Sequence, residues 1–175
     1  MNNLVLNPKK KSFPPMIIAA LIALAGIGST FLGAKTAIAQ SSPPIFENVT
    51  IAPGFDPQTV KIRGISGGPI SASNVAGRLE TDTGPCVGFV DEQPDHTLTL
   101  TQFFNFLSIQ VKSSGDTTLI VQGPGGSWCN DDSTGQNPGI SGQWLEGVYK
   151  IWIGSYKDQS AQEVEYHPYV IYISE

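Results

Sequence analysis

Neighbouring carboxylates are the first residues here whose spacing suggests chemistry. Asp131 and Asp132 are adjacent, Asn130 precedes them, and Asp116 opens an earlier apolar run. A hard cation such as Ca²⁺ takes several carboxylate and carbonyl oxygens, which neighbouring loop acids supply at short range. This predicts a calcium site with Asp131 and Asp132 as first ligands and Asp116 and Asn130 next. The competing role is local, because Asp and Asn also shape turns by bonding their own backbone. A full D-x-[DN]-x-[DN]-G loop with a distal Glu is missing.

A second pattern is nucleophilic. Ser66 lies in Gly64-Ile65-Ser66-Gly67-Gly68-Pro69, and Pro94-Asp95-His96 offers a base. Serine becomes a nucleophile when a histidine stands within hydrogen-bond reach and an acid orients that histidine. The alternative function is therefore a serine peptidase-like hydrolase using Ser66 and His96. The competing reading makes Ser66–Gly68 a flexible turn between strands.

The other reactive types are sparse. His96 and His167 are far apart and do not make a metal site by spacing. Neither Cys86 nor Cys129 has a C-x-x-C neighbour, so zinc is not indicated. Trp128, Trp144, Trp152, Tyr149 and Tyr156 form an aromatic set that is either core or an exposed platform for sugar rings or peptide. Trp128 and Trp144 sit in turn-rich stretches, which predicts partial exposure.

These residues are positioned by short apolar runs separated by Gly, Pro, Asn and Asp, the pattern of an all-β sandwich or barrel. The expected strands are 46–52, 59–65, 71–79, 86–90, 96–100, 104–112, 117–122, 147–155 and 163–173. In 104–112 the alternation puts Leu107, Ile109 and Val111 on one face and Phe106, Ser108, Gln110 and Lys112 on the other. Two packed antiparallel sheets bury such strands, which predicts an all-β, antiparallel, jelly-roll-like β-sandwich.

The start of the chain reads as a targeting segment. Lys9, Lys10 and Lys11 precede an uncharged stretch from Met16 to Gly33, which ends near the small-x-small site Ala37-Ile38-Ala39. The expected organisation is a signal peptide at 1–39, a linker at 40–44 and one domain at 45–175. The apolar run is also long enough for an uncleaved membrane anchor, the one membrane contact expected. Export goes with periplasmic or extracellular localisation. There, an even pair of cysteines reads as a disulfide, Cys86 with Cys129, the alternative being two buried thiols.

Four of the ten basic residues and none of the fifteen acidic ones lie in residues 1–39. The remainder carries six basic and fifteen acidic residues, a net charge of −9. No basic run follows Lys35, and a nucleic-acid backbone needs Lys/Arg clusters, so nucleic acid is excluded as a partner.

From Leu107 to Glu175 the order of motifs resembles a known family. The residues are Gly115-Asp116-Thr117-Thr118-Leu119-Ile120-Val121, Gly123-Pro124-Gly125-Gly126, Cys129-Asn130-Asp131-Asp132-Ser133, Asn137-Pro138-Gly139-Ile140 and Gly147-Val148-Tyr149-Lys150-Ile151-Trp152. This is similar to the bacterial pre-peptidase C-terminal domain. The resemblance implies a jelly-roll-like sandwich that accompanies secreted peptidases without catalysis, some members binding calcium, collagen or polysaccharide. With residues 1–39 read as a signal peptide, no peptidase domain is expected before it, and the cysteines are not general to that family. Gly64–Pro69 also resembles the nucleophile segment Gly-Asp-Ser-Gly-Gly-Pro of trypsin-like serine peptidases, with Ile65 in place of Asp. Those enzymes run His, Asp, Ser along the chain, the reverse of Ser66 before His96. Together these readings predict a secreted, non-catalytic binding or accessory module. Its expected partner is an extracellular polysaccharide, peptide or protein, and calcium is its one candidate cofactor.

Overall fold

The computed structural model describes residues 44–58, 60–156 and 165–175. All belong to one compact unit, Ala39–Glu175. The expected signal segment and all of the expected linker except Pro44 lie outside the described residues. Among the described residues, no helix is long and apolar enough to cross a membrane.

Two sheets face each other. The first, sheet A, is built on β12 (Gly147–Ser155), whose one edge pairs antiparallel with β9 (Thr117–Gly123). The other edge of β12 pairs with β7 (His96–Leu100) and, at Ser155, with β6 (Phe89–Val90). β10 (Gly126–Asn130) continues from β9 as a hairpin, β3 (Ile70–Ser71) flanks β6, and β1 (Asn48–Ile51) lies parallel to β7. Sheet B has the order β11 (Gly139–Trp144), β8 (Phe104–Ser113), β13 (Pro168–Ser174), β2 (Lys61–Ile65). A small hairpin, β4 (Glu80–Thr81) with β5 (Gly84–Pro85), packs against β10, with the Thr81 hydroxyl accepting the Cys129 N–H at 2.9 Å. The architecture is the expected all-β sandwich, antiparallel except for the β1–β7 pair.

The main core lies between the sheets and follows the two-residue period of the strands. Leu107, Ile109 and Val111 from β8 meet Leu98 and Leu100 from β7 and Tyr149, Ile151 and Ile153 from β12, with Ile171 and Ile173 from β13. Phe106 is exposed on the opposite face of β8, as the alternation predicts.

A second core covers the outer side of sheet A. Ile120 and Trp152 stand opposite each other on β9 and β12 and point away from the main core. They are covered by Ala72 and Ala76 of α1 (Ala72–Ala76), by Val90, and by the Cys86–Cys129 disulfide, whose Cα atoms are 5.1 Å apart. The pairing expected of the cysteines is therefore present.

Several expected elements change, and of the strand expected at 86–90 only Phe89–Val90 is strand. The strand expected at 71–79 is a helix, because Ala72 and Ala76 are spaced four apart and share one helical face over the second core. The stretches around Trp128 and Trp144 are strands rather than loops. The last strand begins at Pro168, and the expected 163–164 lie outside the described residues.

Candidate functional site

The β9–β10 hairpin organises two groups of residues at its opposite ends. At its turn, Gly123-Pro124-Gly125-Gly126, the chain crosses between the sheets nearby: β11 ends at Trp144 in sheet B, and β12 starts at Gly147 in sheet A. The crossing leaves a cleft of about 280 Å³ lined by Pro124, Gly125, Trp128, Ile140, Trp144 and Tyr149, with Thr83, Ser141 and Gln143 as polar members.

Three members of the aromatic set converge here. The Trp144 and Tyr149 rings lie 5.0 Å apart at 66°, and Trp128 stands 6.3 Å from Trp144 and 6.4 Å from Tyr149. Trp144 is held by donating its indole N–H to the Leu107 carbonyl at 2.9 Å, and Tyr149 donates its hydroxyl to the Leu145 carbonyl at 2.9 Å. Both polar handles are thus spent inside the protein, and both side chains are buried, Tyr149 with only 1% accessible, so they form the floor of the cleft behind Trp128. The expected exposure of Trp144 is corrected: only 5% of it is accessible, because it closes the end of the main core. Trp128 is the partly exposed member of the three.

The remaining two members of the expected platform do not join them. Trp152 is buried in the second core, because α1 and the disulfide cover the face of sheet A on which it stands. Tyr156 is exposed just beyond β12, at the far end of that strand from Tyr149.

At the other end of the hairpin, Asp116 precedes β9 while Asp131 and Asp132 follow β10. Each offers a carboxylate oxygen, and the three oxygens lie within 4.8 Å of one another. The loop is fixed by Asn137, whose Oδ1 accepts the Ser113 N–H at 2.9 Å and the Thr117 hydroxyl at 3.3 Å. Gln136 donates to Asp116 Oδ2 at 3.3 Å. Oδ1 of Asp116 and Oδ1 of Asp131 are buried and accept no hydrogen bond from the protein.

Burial pushes the Asp131 carboxyl up to about 6, helped by Asp132 and Asp116. Asp116 is raised by burial and by Asp132, and the smaller opposing pull of His167 only reduces the rise. Orphaned carboxylate oxygens that repel one another are the donor set a divalent cation satisfies. Asn130 is not part of it. Its Nδ2 donates to the Thr83 carbonyl at 2.8 Å and its Oδ1 accepts the Gly139 N–H at 2.9 Å, which ties β10 to its neighbours.

Ser66 and His96 do not meet. The Ser66 hydroxyl is 2.7 Å from that of Ser155 and accepts the His167 N–H at 3.1 Å. Far from forming a flexible turn, Ser66–Gly68 is buried, with Ser66 N–H on the His167 carbonyl and Gly67 N–H on the Ile153 carbonyl. His96 points into the main core from β7. Its Nδ1 lies 2.9 Å from the Glu47 carbonyl, so Nδ1 carries the proton, and Nε2 accepts the Tyr169 hydroxyl at 2.9 Å. Asp95 turns away to take the Ile153 N–H at 2.6 Å through Oδ2. Each member of the expected triad is engaged elsewhere.

Comparison with known proteins places the chain only in part. No family model matches it. An uncharacterized protein of Synechococcus elongatus is 32% identical over 91 residues, half of this chain, and the match spans 63% of that relative's length. Among solved structures, the pre-peptidase C-terminal domain of a collagenase from Bacillus anthracis is similar, with a TM-score of 0.41 and 11% identity, over 76% of this chain and 98% of that one. A periplasmic inhibitor of g-type lysozyme from Aeromonas hydrophila is also similar, with a TM-score of 0.36 and 15% identity, over 73% of this chain and 96% of the other. At these values neither structure assigns a family or a function.

Proposed function

We propose that the chain is an exported, non-catalytic binding module whose ligand enters the aromatic cleft. The observation that carries this reading is the convergence of Trp128, Trp144 and Tyr149 on one opening between the sheets. The partly exposed Trp128 ring offers a stacking surface backed by the buried Trp144 and Tyr149, while Thr83, Ser141 and Gln143 supply hydrogen bonds at its margin. That combination suits one sugar ring of a polysaccharide, or one side chain of a peptide or protein partner. The motif order from Leu107 to Glu175, similar to pre-peptidase C-terminal domains, supports an accessory role. The disulfide supports an oxidising compartment, periplasm or medium.

Calcium is proposed as the structural ligand of Asp116, Asp131 and Asp132. Bound there, it offsets two of the three carboxylate charges at one end of the hairpin whose other end lines the cleft. Support comes from the two orphaned buried oxygens and from the raised Asp131.

The test is an array of neutral oligosaccharides and peptides probed with the wild-type protein and Trp128→Ala. Ligands bound by the wild type and lost in the variant support the cleft. Binding that survives Trp128→Ala places the ligand elsewhere.

A further inference from the structure

Sheet B carries a charge pattern opposite to that of the rest of the molecule. Its four strands contain none of the chain's fifteen acidic residues, yet they hold Lys61, Arg63 and Lys112, three of the six basic residues beyond Lys35. The strand register brings them together. Arg63, Val170 and Lys112 stand side by side across β2, β13 and β8, and Lys61, Tyr172 and Gln110 form the next row on the same face. The alternate positions Ile62, Ile171 and Val111 are buried in the core, so the two rows point outward.

All three cations are exposed, and none makes an ion pair with a described residue. Tyr172 is 39% accessible, with the Lys61 ammonium 5.7 Å from its ring centre. Arg63, Lys112, Val170 and Tyr172 line a shallow depression of about 680 Å³.

We infer that this face is a docking surface for an anionic polysaccharide, distinct from the aromatic cleft. Charge complementarity selects an acidic partner. Carboxylate or sulfate groups meet the Arg63 fork in paired hydrogen bonds and the two ammonium groups as point charges. The exposed tyrosine ring gives a sugar ring a surface to stack on. A peptide strand gains less here. β13 lies between β8 and β2 with its main chain paired on both sides, so the centre of this face offers no backbone for strand addition.

The experiment measures binding of the full chain to polygalacturonate at rising NaCl, with dextran as the neutral control. Expected are salt-sensitive binding to polygalacturonate and none to dextran. Lys61→Gln/Arg63→Gln/Lys112→Gln weakens binding by about tenfold or more, since each exposed ion pair contributes a modest factor. Tyr172→Ala, which keeps every charge, weakens it severalfold. Trp128→Ala leaves it unchanged, which separates this surface from the cleft. These positions point outward, and cooperative thermal melts confirm that the variants fold.

Three outcomes overturn the inference: no binding to polygalacturonate, equal binding by the triple variant, or no effect of Tyr172→Ala. Stronger binding to anionic phosphatidylserine vesicles or single-stranded DNA than to polygalacturonate reassigns the face to those partners. Salt-sensitive dimerisation lost in the triple variant reassigns it to a second copy of the chain.

Discussion

His96 Nε2 on β7 and the Tyr169 hydroxyl on β13 lie 2.9 Å apart, a buried polar link between the two sheets. Phe46 packs against the imidazole, and each atom of the link depends on the other for satisfaction. With Nδ1–H on the Glu47 carbonyl, His96 is a neutral acceptor held in one orientation. Burial lowers its pKa.

Removing one partner tests that dependence. Tyr169→Phe keeps the ring and strands Nε2, and should cost about 1–3 kcal/mol in urea denaturation, the penalty of an unsatisfied buried acceptor. A loss close to zero would mean that His96 finds another partner.

Asp95 should make stability fall as pH rises. Its carboxyl is fully buried, has one oxygen without a partner, and is pushed up to about 8, mainly by burial. The folded state therefore holds the proton more tightly than the unfolded chain, whose value is 3.8. This contribution is complete below pH 3.8 and is lost as pH climbs through 8. Asp95→Asn keeps an acceptor for the Ile153 N–H and removes the titration. The stability difference, wild type minus variant, should decline between pH 4 and 8. His96 contributes the opposite trend, losing stability as pH drops below 6.5, but it is common to both proteins and cancels.

Calcium should raise the melting temperature, and EDTA should reverse the rise. A ligand at a hundred times its Kd adds about 2.7 kcal/mol when it binds the native state alone. Asp131→Asn should abolish the shift. In the wild type the shift should shrink as pH drops through 6, because protons compete for Asp131. An unchanged melt in calcium removes the metal.

Ser66→Ala distinguishes scaffold from nucleophile. The substitution leaves the His167 N–H and the Ser155 hydroxyl short of a partner, and should cost about 1–3 kcal/mol. A fluorophosphonate probe should not label Ser66 in the wild type. Labelling at that residue restores the hydrolase.

Reduction of Cys86–Cys129 opens a loop closed over a separation of 43 residues and should lower stability by about 2–4 kcal/mol. Trp152 packs beside this bond, so its fluorescence should respond before the unfolding transition. Denaturation with and without dithiothreitol reads both effects.

Periodicity found the strands with an apolar face. His96–Leu100 and Gly147–Ser155 have the expected bounds, because alternation is a local property. It could not reveal the second core. Trp152 opposes Ile151 and Ile153 along β12, and whether its side is wet depends on α1 and a disulfide that arrive from distant sequence. The same limit hid the basic face, since Lys61, Arg63 and Lys112 become neighbours only through the β2–β13–β8 register. The acid cluster was legible because Asp131 and Asp132 are adjacent and the β9–β10 hairpin is short. Trp128, Trp144 and Tyr149 were visible as aromatics, but their meeting point was set by the crossing between sheets.

The glycines around Ser66 carry a lesson about reading short strings. A methyl group on Gly64 would lie 2.2 Å from the Tyr169 hydroxyl oxygen, and one on Gly68 would lie 2.2 Å from the Val90 carbonyl carbon, at a φ of 150°. Here the succession of small residues leaves room for neighbouring protein. Search patterns built on Gly-x-Ser-Gly-Gly-Pro will gather tightly crossed β-chains along with enzymes, and only the surroundings of the serine tell the two apart.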